Sequence, residues 1–350
     1  MYVGIAHEMS RFIISAVILL FALPLLKGCQ VTRPVEEVVL FCFSDNEFGR
    51  RLFEDVRVVF DRYQIESRYG LRLQFHRLDQ YDIQNRPEQI AAAVALRPRF
   101  ILAPSHDTAQ PMLAALHQLP HSTMIFASRP ALGRAGLLSS TGERLPRTAG
   151  TRILGERDDE QRASLLVEWL GTVRGVGILF DAGSELNTRD EIRKKIAAIT
   201  GAEVYEQDAN RPGEFIESVR HFAAQRVDVI YVPDNDRAYV NRVEISSAVM
   251  VARLPVVAES LEFCAFMPAV CHGTYHVAAF ERWCDIVVQV MNGVEASTIP
   301  IGEPAQGILA VNVGATQAID RPIPEAMVKR AWRASADVLP PRYTSTLLPP

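Results

Sequence analysis

VDVIYVPDN, residues 227–235, is the stretch that decides the fold. Its apolar, β-branched core does not alternate with polar residues and is too short for a helix, so it reads as a strand buried on both faces. It stops abruptly in Pro233-Asp234-Asn235, turn chemistry that gathers polar groups at the strand's carboxyl end. Working outward, the same pattern recurs after residue 150 in VGILFD (176–181), AEVYEQD (202–208) and LPVVAES (254–260). Before it, VVLFCF (38–43), LRLQFHRL (71–78), RFILAP (99–104) and TMIFAS (123–128) form an equivalent series. Amphipathic stretches separate these runs. In FGRRLFEDVRVVFDRY, for example, Phe48, Leu52, Val56, Val59 and Phe60 recur at helical spacing.

Short apolar runs alternating with helical patterns specify parallel sheets covered on both faces. Because the series restarts, we expect an α/β protein of two doubly wound parallel-sheet lobes with a ligand cleft between them. TYHVAAFERWCDIVVQVMNG (274–293) reads as one long helix stopped by Asn292-Gly293, GILAVNV (307–313) as a further strand, and Pro324 to Ala336 as a short helix. These pieces fit as returns of the chain. The expected organisation is lobe one from 36–152 plus 262–304, lobe two from 153–261 plus 305–338, and a Pro-rich tail at 339–350.

In open parallel sheets ligands bind beyond the carboxyl ends of the strands. The runs end in Ser44-Asp45-Asn46, Ser105-His106-Asp107-Thr108, Ser128-Arg129, Asp181 to Ser184, Asp234-Asn235-Asp236 and Glu259-Ser260. Each such residue also suits the N-cap of the following helix. What capping leaves unexplained is that polar groups from two lobes would face one another across one cleft, which suits a small polar solute.

Enzyme motifs fail on context. GTVRGVG (171–177) precedes its strand, whereas a dinucleotide fingerprint follows one, and there is no phosphate-binding loop or G-x-S-x-G elbow. In CHGTYH (271–276), Cys271, His272 and His276 have spacing suited to a metal, but the Gly and Thr between the histidines favour a strand-to-helix turn. No catalysis and no cofactor or metal are therefore expected. A net charge of −4 in 350 residues lacks the basic footprint of a nucleic-acid binder. Cys42, Cys264, Cys271 and Cys284 are too few for a disulfide scaffold. One bridge is open to them, with Cys264 and Cys271 closest in sequence.

Taken in order, these pieces resemble the substrate-binding proteins of bacterial ABC importers with the type I periplasmic fold, in particular the family that includes tryptophan- and tyrosine-uptake binding proteins. The resemblance rests on GVGILFDAGSELNT with Glu185, Asn187 and Thr188, on VDVIYVPDNDR, on LPVVAES, on the Tyr-bearing helix ending in Asn-Gly, and on VNVGATQAIDRPIPEAMVKRA. It spans roughly 36–338 and is stronger after 170. It implies a non-enzymatic solute-binding protein that closes its lobes on an amino-acid-like ligand and presents the closed form to an ABC permease. A periplasmic sensor serving a receptor or histidine kinase is the alternative. The site residues expected are Ser105 and Thr108 for a carboxylate, Asp234 for an amino group, and Ser128, Asn187, Asn235 and Glu259 for other polar atoms, with Tyr275 either an aromatic wall or a helix residue buried in lobe one. The carboxylate of the family's Pro-Thr-Asp-Asn is here either Asp234, displaced by one residue, or absent, and Arg129-Pro130 stands where Asp-Pro is usual.

The N-terminal region fits that setting. Phe12 to Leu26 is apolar after Arg11, shorter than a bilayer span and suited to an export signal. Gly28-Cys29 fits the Leu-x-Gly-Cys pattern of lipoprotein signals, which would attach lipid at Cys29 and end the signal at 1–29. Lys27 departs from that pattern, leaving plain cleavage or an uncleaved anchor open. Met9 begins MSRFII and offers an alternative start. The expected location is the periplasm or cell envelope.

Overall fold

The computed structural model describes residues 37–79, 82, 84–128, 138–139, 141, 143–153, 158–180, 186–209, 211–233, 236–261, 263–273, 276–302 and 307–334. Two sheets organise them. The first contains β1 (Glu37–Phe43), β2 (Leu71–Arg77), β3 (Phe100–Ala103), β4 (Thr123–Ser128) and β5 (Thr148–Arg152) in the order β2-β1-β3-β4-β5, all parallel. Helices α1 (Glu47–Arg62), α2 (Ile65–Tyr69), α3 (Arg86–Ala95) and α4 (His106–Ala115) connect these strands.

The second sheet has β6 (Gly175–Phe180), β7 (Glu203–Asp208), β8 (Val229–Val232), β9 (Val256–Ala258), β10 (Ala269–Gly273), β11 (Ile308–Val311) and β12 (Trp332–Arg333). Its order is β12-β11-β10-β9-β8-β6-β7, and β10 and β11 run antiparallel. Its helices are α5 (Asp158–Leu170), α6 (Leu186–Thr200), α7 (Pro212–Ala224), α8 (Asp236–Val240), α9 (Arg242–Ala252), α10 (Phe263–Phe266), α12 (Val313–Ala318) and α13 (Glu325–Arg330). Between α10 and α12 in the chain, α11 (His276–Met291) leaves this sheet and packs on the first.

The continuous apolar runs are explained by where alternate side chains go. Along β1, Val39, Phe41 and Phe43 enter one core while Leu40 and Cys42 enter the core on the opposite face. Along β8, Ile230 and Val232 face one core, Val229 and Tyr231 the other. Successive side chains of a strand point to opposite faces, so a strand covered on both sides has no position left for a solvated residue. The predicted face of α1, with Phe48, Leu52, Val56, Val59 and Phe60, is the buried one. On α11, Phe280, Trp283 and Val287 fill the same core, and the Trp283 indole N–H donates to the Phe126 carbonyl at 3.3 Å.

The sequence reading needs correction in places, and the helix read over Pro324 to Ala336 ends at Arg330, before β12. β5 was not predicted. Residues 262–273, assigned above to lobe one, lie within the second sheet from Phe263 onward, because Cys264, Met267, Ala269 and Cys271 bury in its core and β10 pairs with β9 and β11. The return to the first sheet therefore comes with α11. Cys264 and Cys271 are free thiols, and Cys264 Sγ donates to the carbonyls of Ala269 and Ala310, at 3.4 and 3.2 Å.

Trp283 is fully buried and holds the returning helix to the first sheet, so Trp283→Ala combines a large cavity with a lost hydrogen bond. Urea unfolding should show a loss of about 3–5 kcal/mol.

Candidate functional site

The chain passes between the sheets at 152 to 158, 273 to 276 and 302 to 307. The first and third passages leave side by side. Thr151 bridges Gly302 in parallel, the Arg152 N–H donates to the Gly302 carbonyl at 2.8 Å, and the Gly302 N–H donates to the Gly150 carbonyl at 3.0 Å. β5 and β10 both run into these passages, so the carboxyl ends of the parallel strands flank the connection. This is the position at which open α/β sheets take ligands.

In the first sheet, the group of interest follows β3. Ser105 is extended and caps α4, its Oγ accepting the Thr108 N–H at 3.3 Å. Thr108 completes the reciprocal box: its Oγ1 accepts the Ser105 N–H at 3.3 Å and donates to the Ser105 carbonyl at 3.0 Å. Thr108 is fully buried, whereas Ser105 is half-buried at the surface of the box. Thr108 thus fixes the rotamer and backbone of Ser105, and the first turn of α4 adds free N–H groups and the positive end of the helix dipole. After β1, Ser44 Oγ donates to Asp79 at 3.3 Å and Asn46 caps α1, accepting from Gly49 N at 2.8 Å.

In the second sheet, a charged network sits beneath the strand ends. Arg162, only 1 % exposed, extends from α5. It donates to Asp159 Oδ1 at 2.8 Å, to the Tyr231 hydroxyl at 2.8 Å and to the His272 carbonyl at 3.1 Å. The Tyr231 hydroxyl in turn donates to Asp159 Oδ1 at 2.6 Å. Burial by itself would lower the arginine's pKa. The Tyr231 oxygen, Glu259 and Asp159 outweigh that and raise it, so the guanidinium is firmly charged. Burial likewise opposes ionisation of Asp159, but Arg162 and the Tyr231 hydrogen bond hold its pKa below the usual range.

Glu259, predicted as a ligand group, directly follows β9 and is 8 % exposed. Its charge acts on Arg162. Gly273 allows this approach, since a Cβ there would collide with the Glu259 carbonyl. His272 is also buried, with its ring against Gly307, and its Nδ1 has no hydrogen-bond partner among the described residues. The notion of a metal shared by Cys271 and His272 meets a geometric objection: as neighbours on a strand they point to opposite faces. Cys271 lies in the core opposite the one containing Val270.

Of the predicted site residues, Ser105, Thr108 and Glu259 are placed as described. Asp234, Asn235 and Tyr275 lie outside the described residues, as does Cys29, and so do the side chains of Ser128 and Asn187, whose backbones belong to β4 and α6. Asp159, Arg162 and Tyr231 were not singled out in the sequence, and His272 only as a metal candidate. Their one local signal is the Asp-x-x-Arg spacing at 159–162, which reads equally well as a surface helix pair.

The family model described as ABC transporter substrate binding protein matches residues 84–334. The chain belongs to that family. As a substrate-binding protein it is a non-enzymatic, extracytoplasmic solute binder of an ABC system. A search of curated proteins finds no match. Solved structures share the fold at low identity. A conserved domain protein from Vibrio cholerae O1 biovar El Tor is 17 % identical, covering 87 % of this chain and 100 % of its own, with a TM-score of 0.68. An ABC domain in complex with L-Trp from Streptococcus pneumoniae is 15 % identical over 86 % and 99 % of the two chains, with a TM-score of 0.70. A solute-binding protein from Agrobacterium vitis bound with alpha-D-tagatopyranose is 13 % identical over 85 % and 99 %, with a TM-score of 0.60. These neighbours establish the type I periplasmic binding fold for the substrate-binding protein.

Burial and the Arg162 charge lower the His272 pKa from 6.5 to about 4, against the opposing pull of Asp158 and a Gly307 backbone hydrogen bond. The unfolded chain then takes up this proton first. Stability is full above about pH 6.5 and is lost progressively as pH falls toward 4. The component amounts to about 3 kcal/mol. In urea unfolding at pH 7 and pH 4, His272→Gln should lose less stability than wild type by about that amount.

Proposed function

We propose that this substrate-binding protein captures an amino-acid-like solute, with a carboxylate at Ser105 and the start of α4 and an amino group at Asp234. Asn187, Asn235, Ser128 and Tyr275 complete the reading, with Thr108 acting through Ser105 and Glu259 contributing charge next to Arg162. The observation that carries it is the Ser105–Thr108 box, a fixed hydroxyl at the exit of a buried parallel strand. A carboxylate placed there meets N–H donors and a helix N-terminus together. The L-Trp complex of a neighbour with the same fold points in the same direction. The tagatose complex of another favours a sugar as the second reading. On our reading the closed form is delivered to an ABC permease for import.

A thermal screen of the twenty amino acids, short peptides and monosaccharides tests this. A ligand at about 100 times its Kd adds about 2.7 kcal/mol, a melting shift on the order of 5–10 °C. Tryptophan, tyrosine or another amino acid should give the shift, and Asp234→Ala should then weaken binding by at least tenfold. A shift with sugars alone overturns the amino-acid reading.

We further propose attachment to the membrane through acylated Cys29. In a bacterial host the wild type should then partition into detergent, and Cys29→Ser should release the protein or leave it unprocessed. A cleaved, soluble wild type would show that Lys27 disables the signal and that the protein is free in the periplasm.

A further inference from the structure

The two lobes touch at a place that the solute site does not require. Arg242, first residue of α9, lies between the rings of Tyr239 and Phe266, its guanidinium carbon 4.7 and 5.0 Å from their centroids. One arm donates to the Tyr239 carbonyl at 3.0 Å, and the other reaches across to Glu47 Oε1 at 3.0 Å. Glu47 opens α1 in the first lobe. Beside this pair, Phe48 of α1 stacks on Tyr239 with centroids 4.7 Å apart, and Arg51 stands over the same ring at 5.6 Å. Tyr239 is 3 % exposed and joins the core cluster of the first lobe, although it belongs to the second.

Position in the fold gives the contact its meaning. α1 follows β1, which is separated from β5 by β3 and β4, and α8 and α9 follow β8, separated from β10 by β9. The passages between lobes leave from β5, β10 and Gly302. The contact is therefore displaced sideways from the hinge, and rotation about the passages separates it. We infer that Glu47, Phe48, Tyr239 and Arg242 form a latch that favours the closed arrangement of the lobes before any solute arrives. This rests on lobe closure as the binding motion, and its readout needs no solute. The latch can therefore fail without the solute assignment failing, and the reverse.

The latch is asymmetric by construction. Arg242 is held in place by its own lobe, while the Glu47 side chain is half exposed, 53 % against 10 % for the arginine. Glu47 is thus the half of the pair that can be altered without disturbing a core.

The test measures distances between spin labels at Arg57→Cys on α1 and Val251→Cys on α9, both exposed positions. It uses the full-length, solute-free chain carrying Cys29→Ser, since the four described cysteines are buried. The short distance should dominate in the parent. Glu47→Lys should reduce the ratio of short to long distances by about tenfold, through the loss of the ion pair together with the like-charge repulsion of Arg242 that replaces it. Arg242→Glu should do the same, and the two together should restore the short distance, which a purely structural role for Arg242 would not produce. A long distance in the parent, an unchanged distribution in Glu47→Lys, or a double exchange that fails to recover the short distance overturns the latch. If Arg242→Glu does not fold, Glu47→Lys against Glu47→Gln decides: a graded loss, larger for Lys, supports the latch and no change refutes it.

Discussion

A parallel strand with helices above and below has to find apolar partners on both faces, and this requirement shapes the central strands β1, β3, β6, β8 and β9. It explains why Leu40 and Cys42 are as apolar as Val39, Phe41 and Phe43, although they serve different cores. It also drives polar residues out of the strands and into their ends. Residues such as Ser105 and Glu259 then collect where the next helix begins, because the strand interiors cannot accept them. The binding face of the fold is thus a consequence of burying both sides of the sheets.

The exceptions to that rule are paired. Tyr231 sits in a strand facing a core, yet its hydroxyl receives a hydrogen bond from Arg162 and gives one to Asp159. Arg162 accomplishes more than neutralisation. It joins α5, the first element after the first passage, to the carbonyl of His272, just before the second passage. Removing one member leaves the others buried without partners, and such a group costs several kcal/mol. The network thus ties α5 to β8 and β10 within the second lobe.

How much of this was legible in the sequence follows from the same physics. The apolar runs were legible because burial on both faces leaves no alternation to confuse them, and the face of α1 because Phe48 to Phe60 keep helical spacing. TAGTR, the β5 strand, carries no apolar run. It is buried by position, with Gly150 accommodating the Phe126 carbonyl, where a side chain would collide. AVCHG, the β10 strand, is too short and mixed to stand out as an apolar run, and its glycine admits the backbone of Glu259. The Ser105 cap was visible locally, since Ser and Thr lie three residues apart, and so was its reading as an N-cap. The Arg162 and Arg242 contacts were not, since their partners lie 69 and 195 residues away in the chain and meet only through topology.

The strength of the contact between the lobes can be bounded. A solute gains apparent affinity from any prior bias toward the closed state, because its intrinsic Kd is divided by the competent fraction. A bias of many kcal/mol would lose that advantage, since a lobe pair that never opens cannot admit a solute. Glu47 meets the requirement for a small bias: its carboxylate is half in water, where screening limits an ion pair to about 1 kcal/mol. Tyr239 and Phe48 add an aromatic contact worth about 0.5–1.5 kcal/mol beyond burial. Together these terms favour closure by a modest factor while leaving opening frequent. A fully buried pair of the Arg162 kind at the same place would hold the lobes shut, which is why the strong network belongs within one lobe and the weak one between the two.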